Sequence, residues 1–129
     1  MLTKVHKTAE VAKNAKIGKN TFVWHHTQIR ENAVIGGNCI LGKNVYIDHN
    51  VIIGDNVKIQ NNASIYFDSR IEDGVFIGPH VCLTNDKLPR AITKDEKPKT
   101  NEEWKAGKIL IKKGASVGAA SVILPDVVI

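Results

Sequence analysis

A chain of 129 residues has the length of a single domain. Aromatic residues make up only 5% of it, which excludes a core built on Phe and Trp. The two cysteines, Cys39 and Cys82, offer neither a zinc spacing nor a disulfide framework. The net charge of +5 suits phosphates, but no helix-turn-helix, zinc-finger or RNA-binding signature accompanies it, and nucleic acid is not an expected partner.

The N-terminus, MLTKVHKTAEVAK, lacks an apolar signal core, and no run approaches the roughly 18 apolar residues of a membrane span. A soluble, cytoplasmic protein is therefore expected. From Ala9 the chain divides without a gap into thirteen hexapeptides, AEVAKN through VCLTND. The third position is always aliphatic, from Val11 to Leu83, and the first is always Ala, Ser, Thr, Cys or Val. With period 2, both positions point inward from a short strand. The sixth position holds Asn, Asp, His or Gly, the residues most tolerant of the left-handed backbone region, so each hexapeptide is expected to end in a corner. The fourth is Gly at 18, 36, 42, 54 and 78, as tight turns favour. The stretch VIIGDNVKIQNN repeats one phrase twice and breaks it at Gln60. Regular strands and corners make a solenoid, and no 3.6-residue period supports helix.

After Asp86 the repeat stops. Residues 87–108, KLPRAITKDEKPKTNEEWKAGK, form a charged external loop. The repeat resumes over 109–129 as ILIKKG, ASVGAA and SVILPD. One β-helix domain over 1–129, with coils at about 9–86 and 109–129, is the expected organisation. A long segment inside a compact repeat is usually functional, with a tolerated solvated insertion as the alternative.

The hexapeptide pattern resembles that of the left-handed parallel β-helix acyltransferases. That resemblance implies an all-β fold with three faces and 18 residues per coil. The segments VWHHTQI, KIQNNASIY, DGVFIGPHVCLTND, PRA and ILIKKGASVGAASVILP are similar to N-acetyltransferases that act on the 3-amino group of a nucleotide-linked amino sugar for bacterial surface polysaccharides. The resemblance implies acetyl-CoA as co-substrate, no metal, and a homotrimer with sites between subunits. It also implies further C-terminal coils, so the chain is expected to lack coils beyond Ile129.

Residues 18 apart then stack. Gln60 joins Trp24, Gly42 and Gly78, while Tyr66 joins Asp48 and Thr84. Gln60 and Tyr66 are departures made for a ligand or for a trimer contact. By resemblance, Asn85 of the Thr84-Asn85 pair sits beside the sugar, and Asp86 orients or deprotonates the amine. The amine must be unprotonated and the carbonyl oxygen needs donors. His25, at an exposed position beside Trp24, is a further catalytic candidate, whereas His26 and His80 occupy corner positions that His fills for its backbone alone. Arg90, in the Pro-Arg-Ala segment, is the candidate cation for the nucleotide-sugar phosphates or a sugar carboxylate. Gly118, Ala119 and Ala120 would let a pantetheine arm approach the backbone, with Lys112 and Lys113 either meeting its phosphates or serving solubility. A non-catalytic trimeric scaffold and a zinc carbonic anhydrase on the same fold are the rival readings. The latter needs three converging His, and His26 and His80 lie three coils apart, about 14 Å.

Overall fold

The computed structural model describes residues 2–129, and these form seventeen two-residue strands with no helix. The strands stack in three parallel sheets, one to a face of the solenoid. The first face runs from Lys4–Val5 through Phe22–Val23, Ile40–Leu41, Lys58–Ile59 and Phe76–Ile77 to Ser116–Val117. The second runs from Glu10–Val11 to Val122–Ile123, and the third from Lys16–Ile17 to Leu110–Ile111. Partners in register are 18 residues apart, as in Lys58↔Phe76 and Ser64↔Cys82. This is the architecture expected of a left-handed β-helix. No helix among the described residues is long and apolar enough to cross a membrane.

The two inward positions fill the triangular interior. Ile47, Ile53 and Ile59 meet within one coil, Ile65, Ile71 and Ile77 in the next, and all six are 2% exposed or less. Complete burial of such a side chain contributes about 2–3 kcal/mol. Val51, Val57, Ala63 and Val75 occupy the smaller first positions beside them, equally buried. The first-position Thr21, Thr27 and Cys39 bond to the next coil. The buried Thr27 hydroxyl donates to the Gly42 carbonyl at 2.7 Å, and the Cys39 thiol to that of Gly54 at 3.2 Å.

The sixth-position residues are the corners. Each one from Asn20 to His80 has φ between 57° and 70°, and Gly114, Ala120 and Asp126 continue the series. Asp86 does not. There the chain leaves the solenoid and forms an antiparallel bridge with Ala106, so the corner expected at Asp86 is replaced by the start of the loop. Arg70 then pairs with Leu110 and Ile71 with Ile111, forty positions on instead of eighteen. About twenty-two residues are thus looped out without changing which side chains point inward.

A second corner device accompanies the glycines at 36, 42 and 54, whereas Gly18 and Gly78 face the backbone of the next coil. A fifth-position Asp or Asn reaches back one coil and accepts a hydrogen bond from the fifth-position amide there. Asp55 takes Gly37 N–H (2.8 Å), Asn61 takes Lys43 N–H (2.8 Å) and Asp73 takes Asp55 N–H (2.7 Å). That side chain fills the space where a fourth-position Cβ would stand. At Gly42 a Cβ would lie 2.5 Å from Asn61 Oδ1, and at Gly54 it would strike Asp73 Oδ1. Gln60 escapes the rule because the residue stacked above its corner is Pro79, which carries no such group. At Gln60, unlike at Gly42 and Gly54, no cap side chain comes from the coil above.

The first coil is held by fewer groups. The His6 and His25 rings stack with centroids 3.5 Å apart, and His6 Nδ1 lies 2.9 Å from the Thr8 hydroxyl. Desolvation of the half-buried His6 ring, then the neighbouring His25, Lys7 and His26, hold its pKa below the ordinary value of 6.5.

Two outcomes are expected. Gly42→Ala costs about 1–3 kcal/mol through overpacking, whereas Gln60→Ala stays within about 0.5 kcal/mol; urea midpoints at constant m compare them. For His6, the unfolded chain binds more protons, so the first coil keeps its stability above about pH 6.5 and loses it as pH falls through that value toward the folded pKa. Amide exchange at Lys4 and His6, corrected for intrinsic rate, should show protection falling with pH relative to Lys58, and His6→Phe should abolish the trend. Equal protection across this range would refute it.

Candidate active site

The three corners of the solenoid differ in chemistry. The third, through Gly36, Gly54 and Asp73, carries two caps from above, on Gly37 and Asp55, and one from below, where the fourth-position Glu72 accepts from Lys113 N–H at 2.9 Å, with Lys112 and Lys113 exposed at its end. The first carries Trp24, His25 and Gln60, which line an open groove of about 480 Å³ with Lys43 and Asn61. Gly118, Ala119 and Ala120 lie further along this same corner, since Ile77 pairs with Val117, and all three are exposed. Gly78 is pressed there against the backbone, its absent Cβ 2.7 Å from Ala119 N. Ala120 holds φ 60°, a conformation that disfavours any side chain with a Cβ.

The second corner departs most from the repeat. Asp48, at a fourth position, is only 4% exposed. Its Oδ1 accepts from the Tyr46 hydroxyl (3.0 Å), from His49 N–H (2.8 Å) and from Arg30 (3.4 Å). Its Oδ2 accepts from Phe67 N–H at 3.0 Å. Burial pushes the Tyr46 phenol above its ordinary pKa, and Asp48 pushes it the same way, while the bond from Arg30 opposes both. Tyr66 meets Tyr46 edge-on at 5.7 Å. His49 stacks on Phe67 at 4.8 Å, and Trp104 from the loop closes edge-on against Phe67 at 5.4 Å. The long loop is thereby fastened to this corner.

Above this cluster lies a groove of about 640 Å³, lined by Tyr66, Cys82, Thr84, Asn85, Asp86 and the start of the loop. Asn85 is 8% exposed. Its Nδ2 is, among the described residues, the one buried side-chain nitrogen or oxygen without a hydrogen-bond partner. A buried unpaired amide costs about 1–3 kcal/mol. Its backbone carbonyl is satisfied by Gly107 N–H at 2.7 Å, where the loop returns. Thr84 spends its hydroxyl on Ile123 O at 2.8 Å. Asp86 Oδ1 accepts from Leu88 N–H at 3.1 Å, which starts the loop. Lys87 pairs with Asp126 at the edge of the groove. The Lys87 ammonium, then the Lys108 amide, hold the Asp126 carboxyl below its usual range.

Of the residues singled out from sequence, Tyr66, Thr84, Asn85 and Asp86 thus converge on one groove. His25 and Gln60 share another, one face away. Gly118–Ala120 and Lys112–Lys113 fall on different corners, because six residues advance the chain by one face. Arg90 is exposed in the loop and does not line the Asn85 groove. Stacking at eighteen residues places Asp48, His49 and Phe67 on this corner without giving them a role, and sequence reasoning did not nominate Arg30, Tyr46 or Trp104. An acidic fourth position, Asp48, was the available signal. Among the described residues, no group of three His, Cys, Asp or Glu side chains is arranged to hold a metal ion.

Residues 32–67 and 50–85 match the family described as Bacterial transferase hexapeptide (six repeats). No curated protein sequence matches the chain as a relative. In fold it is similar to the acetyltransferase domain of PglB from Neisseria gonorrhoeae, with a TM-score of 0.73 at 20% identity, covering 96% of this chain and 51% of that one. WeeI from Acinetobacter baumannii gives 0.74 at 24% identity, covering 96% and 50%. PerB from Caulobacter crescentus, solved in complex with CoA and GDP-perosamine, gives 0.59 at 17% identity, covering 99% and 51%. The chain spans about half the length of each of these solved proteins. Over residues 32–85 the repeat is thus similar to that of the bacterial transferase hexapeptide proteins, and over nearly the whole chain the fold is similar to that of these acetyltransferase structures.

Proposed function

We propose that this chain is the β-helix of a CoA-dependent N-acetyltransferase acting on the amino group of a nucleotide-linked amino sugar. The observation that carries the reading is the Asn85 amide, unpaired at the Tyr66–Asp86 groove. A native fold seldom leaves such a group without a partner, and a polar substrate supplies one. The names of two similar structures agree with this chemistry: PerB is described with CoA and GDP-perosamine, and a variant of AntD, an N-acyltransferase from Bacillus cereus, with dTDP and coenzyme A.

In this reading the free amine attacks the thioester carbonyl carbon. The tetrahedral intermediate expels the CoA sulfur, and the proton lost by the amine passes to it, giving the amide and the free thiol. Asn85 holds the sugar beside the reacting centre. Asp86 orients the amine through Oδ2, its Oδ1 being committed to Leu88. Tyr66 walls the sugar site, and Thr84 fixes the Asn85 backbone through its bond to the following coil. Juxtaposition itself supplies much of the rate. The exposed small residues Gly118–Ala120 take the pantetheine arm, Lys112, Lys113 and Arg90 meet phosphates, and His25 with Gln60 complete the far wall. These groups stand on different corners of one chain, which supports a homotrimer with each site shared between neighbouring copies. Such an enzyme would work in the cytoplasm and serve surface-polysaccharide assembly.

The test is thiol release from acetyl-CoA with a panel of UDP-, dTDP- and GDP-linked amino sugars. Release that requires one of the sugars is expected, and Asn85→Ala should lower kcat/KM about 100-fold, as for loss of a donor at a reacting centre. No release with any acceptor from a folded chain would overturn the assignment.

A further inference from the structure

At three places on the other two corners, a fifth-position Asp or Asn caps the fifth-position amide one coil below: Asp55 on Gly37, Asn61 on Lys43, Asp73 on Asp55. Asn85 is a fifth-position residue of the same kind, and Ile65 pairs with Leu83, so it stands directly over Phe67. By the rule of the fold its side chain should accept from Phe67 N–H. It does not, because that amide is already bonded to Asp48 Oδ2 at 3.0 Å. Asp48 therefore performs from below the task that Asn85 would otherwise perform from above.

We propose that Asp48 is a positioning residue whose function is to release the Asn85 side chain from structural duty, leaving it for a ligand in the Tyr66–Asp86 groove. Three observations support the claim. Asp48 is 4% exposed, and both its oxygens are engaged by main-chain amides, His49 N–H on Oδ1 and Phe67 N–H on Oδ2. Tyr46 and Arg30 hold Oδ1 in that orientation. Asn85 Oδ1, the acceptor that a cap would use, makes no hydrogen bond to any described residue, and the Nδ2 beside it is buried without a partner. A carboxylate accepting several main-chain donors is a stronger cap than a neutral amide, so the exchange costs the fold little. The idea deepens the acetyltransferase reading by naming what prepares Asn85, and it rests on that reading for its functional half only.

Backbone amide exchange on the intact chain tests the structural half. Asn61→Ala should speed exchange at Lys43, the control for a capping residue, whereas Asn85→Ala should leave Phe67 unchanged. In an Asp48→Ala background Asn85 falls back onto Phe67, so adding Asn85→Ala there should speed exchange at Phe67 about fivefold, the worth of one net hydrogen bond. If Asn85→Ala alone speeds Phe67 as Asn61→Ala speeds Lys43, the proposal is wrong, and this single-variant comparison holds even if Asp48→Ala fails to fold. For the functional half, Asp48→Ala and Asn85→Ala should lower kcat/KM for thiol release by similar factors without multiplying in the double variant, and Asp48→Asn, which keeps one acceptor oxygen, should recover part of the loss. Full multiplication of the two effects would overturn it. Absence of transfer in the unaltered chain would strike the function alone and leave the exchange result standing.

Discussion

Everything in this molecule depends on the backbone hydrogen bonds that join each coil to the next at a spacing of eighteen residues. Lys58 N–H to Val75 O, Gln60 N–H to Ile77 O and their counterparts on every face set that spacing. Parallel strands two residues long cannot hold a sheet by themselves. They hold here because every coil is covered by another and because corners in the left-handed region return the chain at fixed intervals. A shift of one residue would turn Ile47, Ile53 and Ile59 outward, so the hydrophobic pattern and the hydrogen bonds enforce one register.

That register makes residues distant in sequence into vertical neighbours, and the corners use this in two ways. On the regular corners, glycine at the fourth position leaves room for an Asp or Asn from the coil above to cap an amide. On the second corner, Asp48 and Tyr66 replace small residues and carry the capping differently. The first corner also carries Trp24, His25 and Gln60, and the second adds the buried Asp48 network and the attachment of the long loop.

The loop extends the same logic. It leaves at Asp86 and returns at Gly107, whose N–H bonds to Asn85 O at 2.7 Å, so both its ends lie against the Asn85 backbone. Trp104 brings the loop back to Phe67. An insertion at this point adds surface beside the groove while the core continues in phase through Leu110 and Ile111. A hexapeptide solenoid tolerates such an excursion because each coil contacts only its neighbours.

The fold was legible in the sequence because its period is short and nearly unbroken: aliphatic third positions, small first positions and Asn-rich sixth positions each have one physical reading. Asp86 was misread as a corner, since composition alone does not tell an Asp that closes a turn from one that opens a loop. Tyr66, Thr84, Asn85 and Asp86 were found from resemblance and stacking, and the structure brings them to one groove. Asp48 was placed on the ladder of Tyr66 without a role, and Arg30 and Tyr46 were not found, because their significance lies in which amides and hydroxyls Asp48 reaches across coils, and spacing says nothing of side-chain direction. The sequence by itself determined the coil, its period and its inward face, which follow from local backbone preference and hydrophobic alternation. Only the tertiary structure decided that Phe67 is capped from below and that Asn85 is left unpaired, because one amide can be claimed by two side chains and only packing chooses between them.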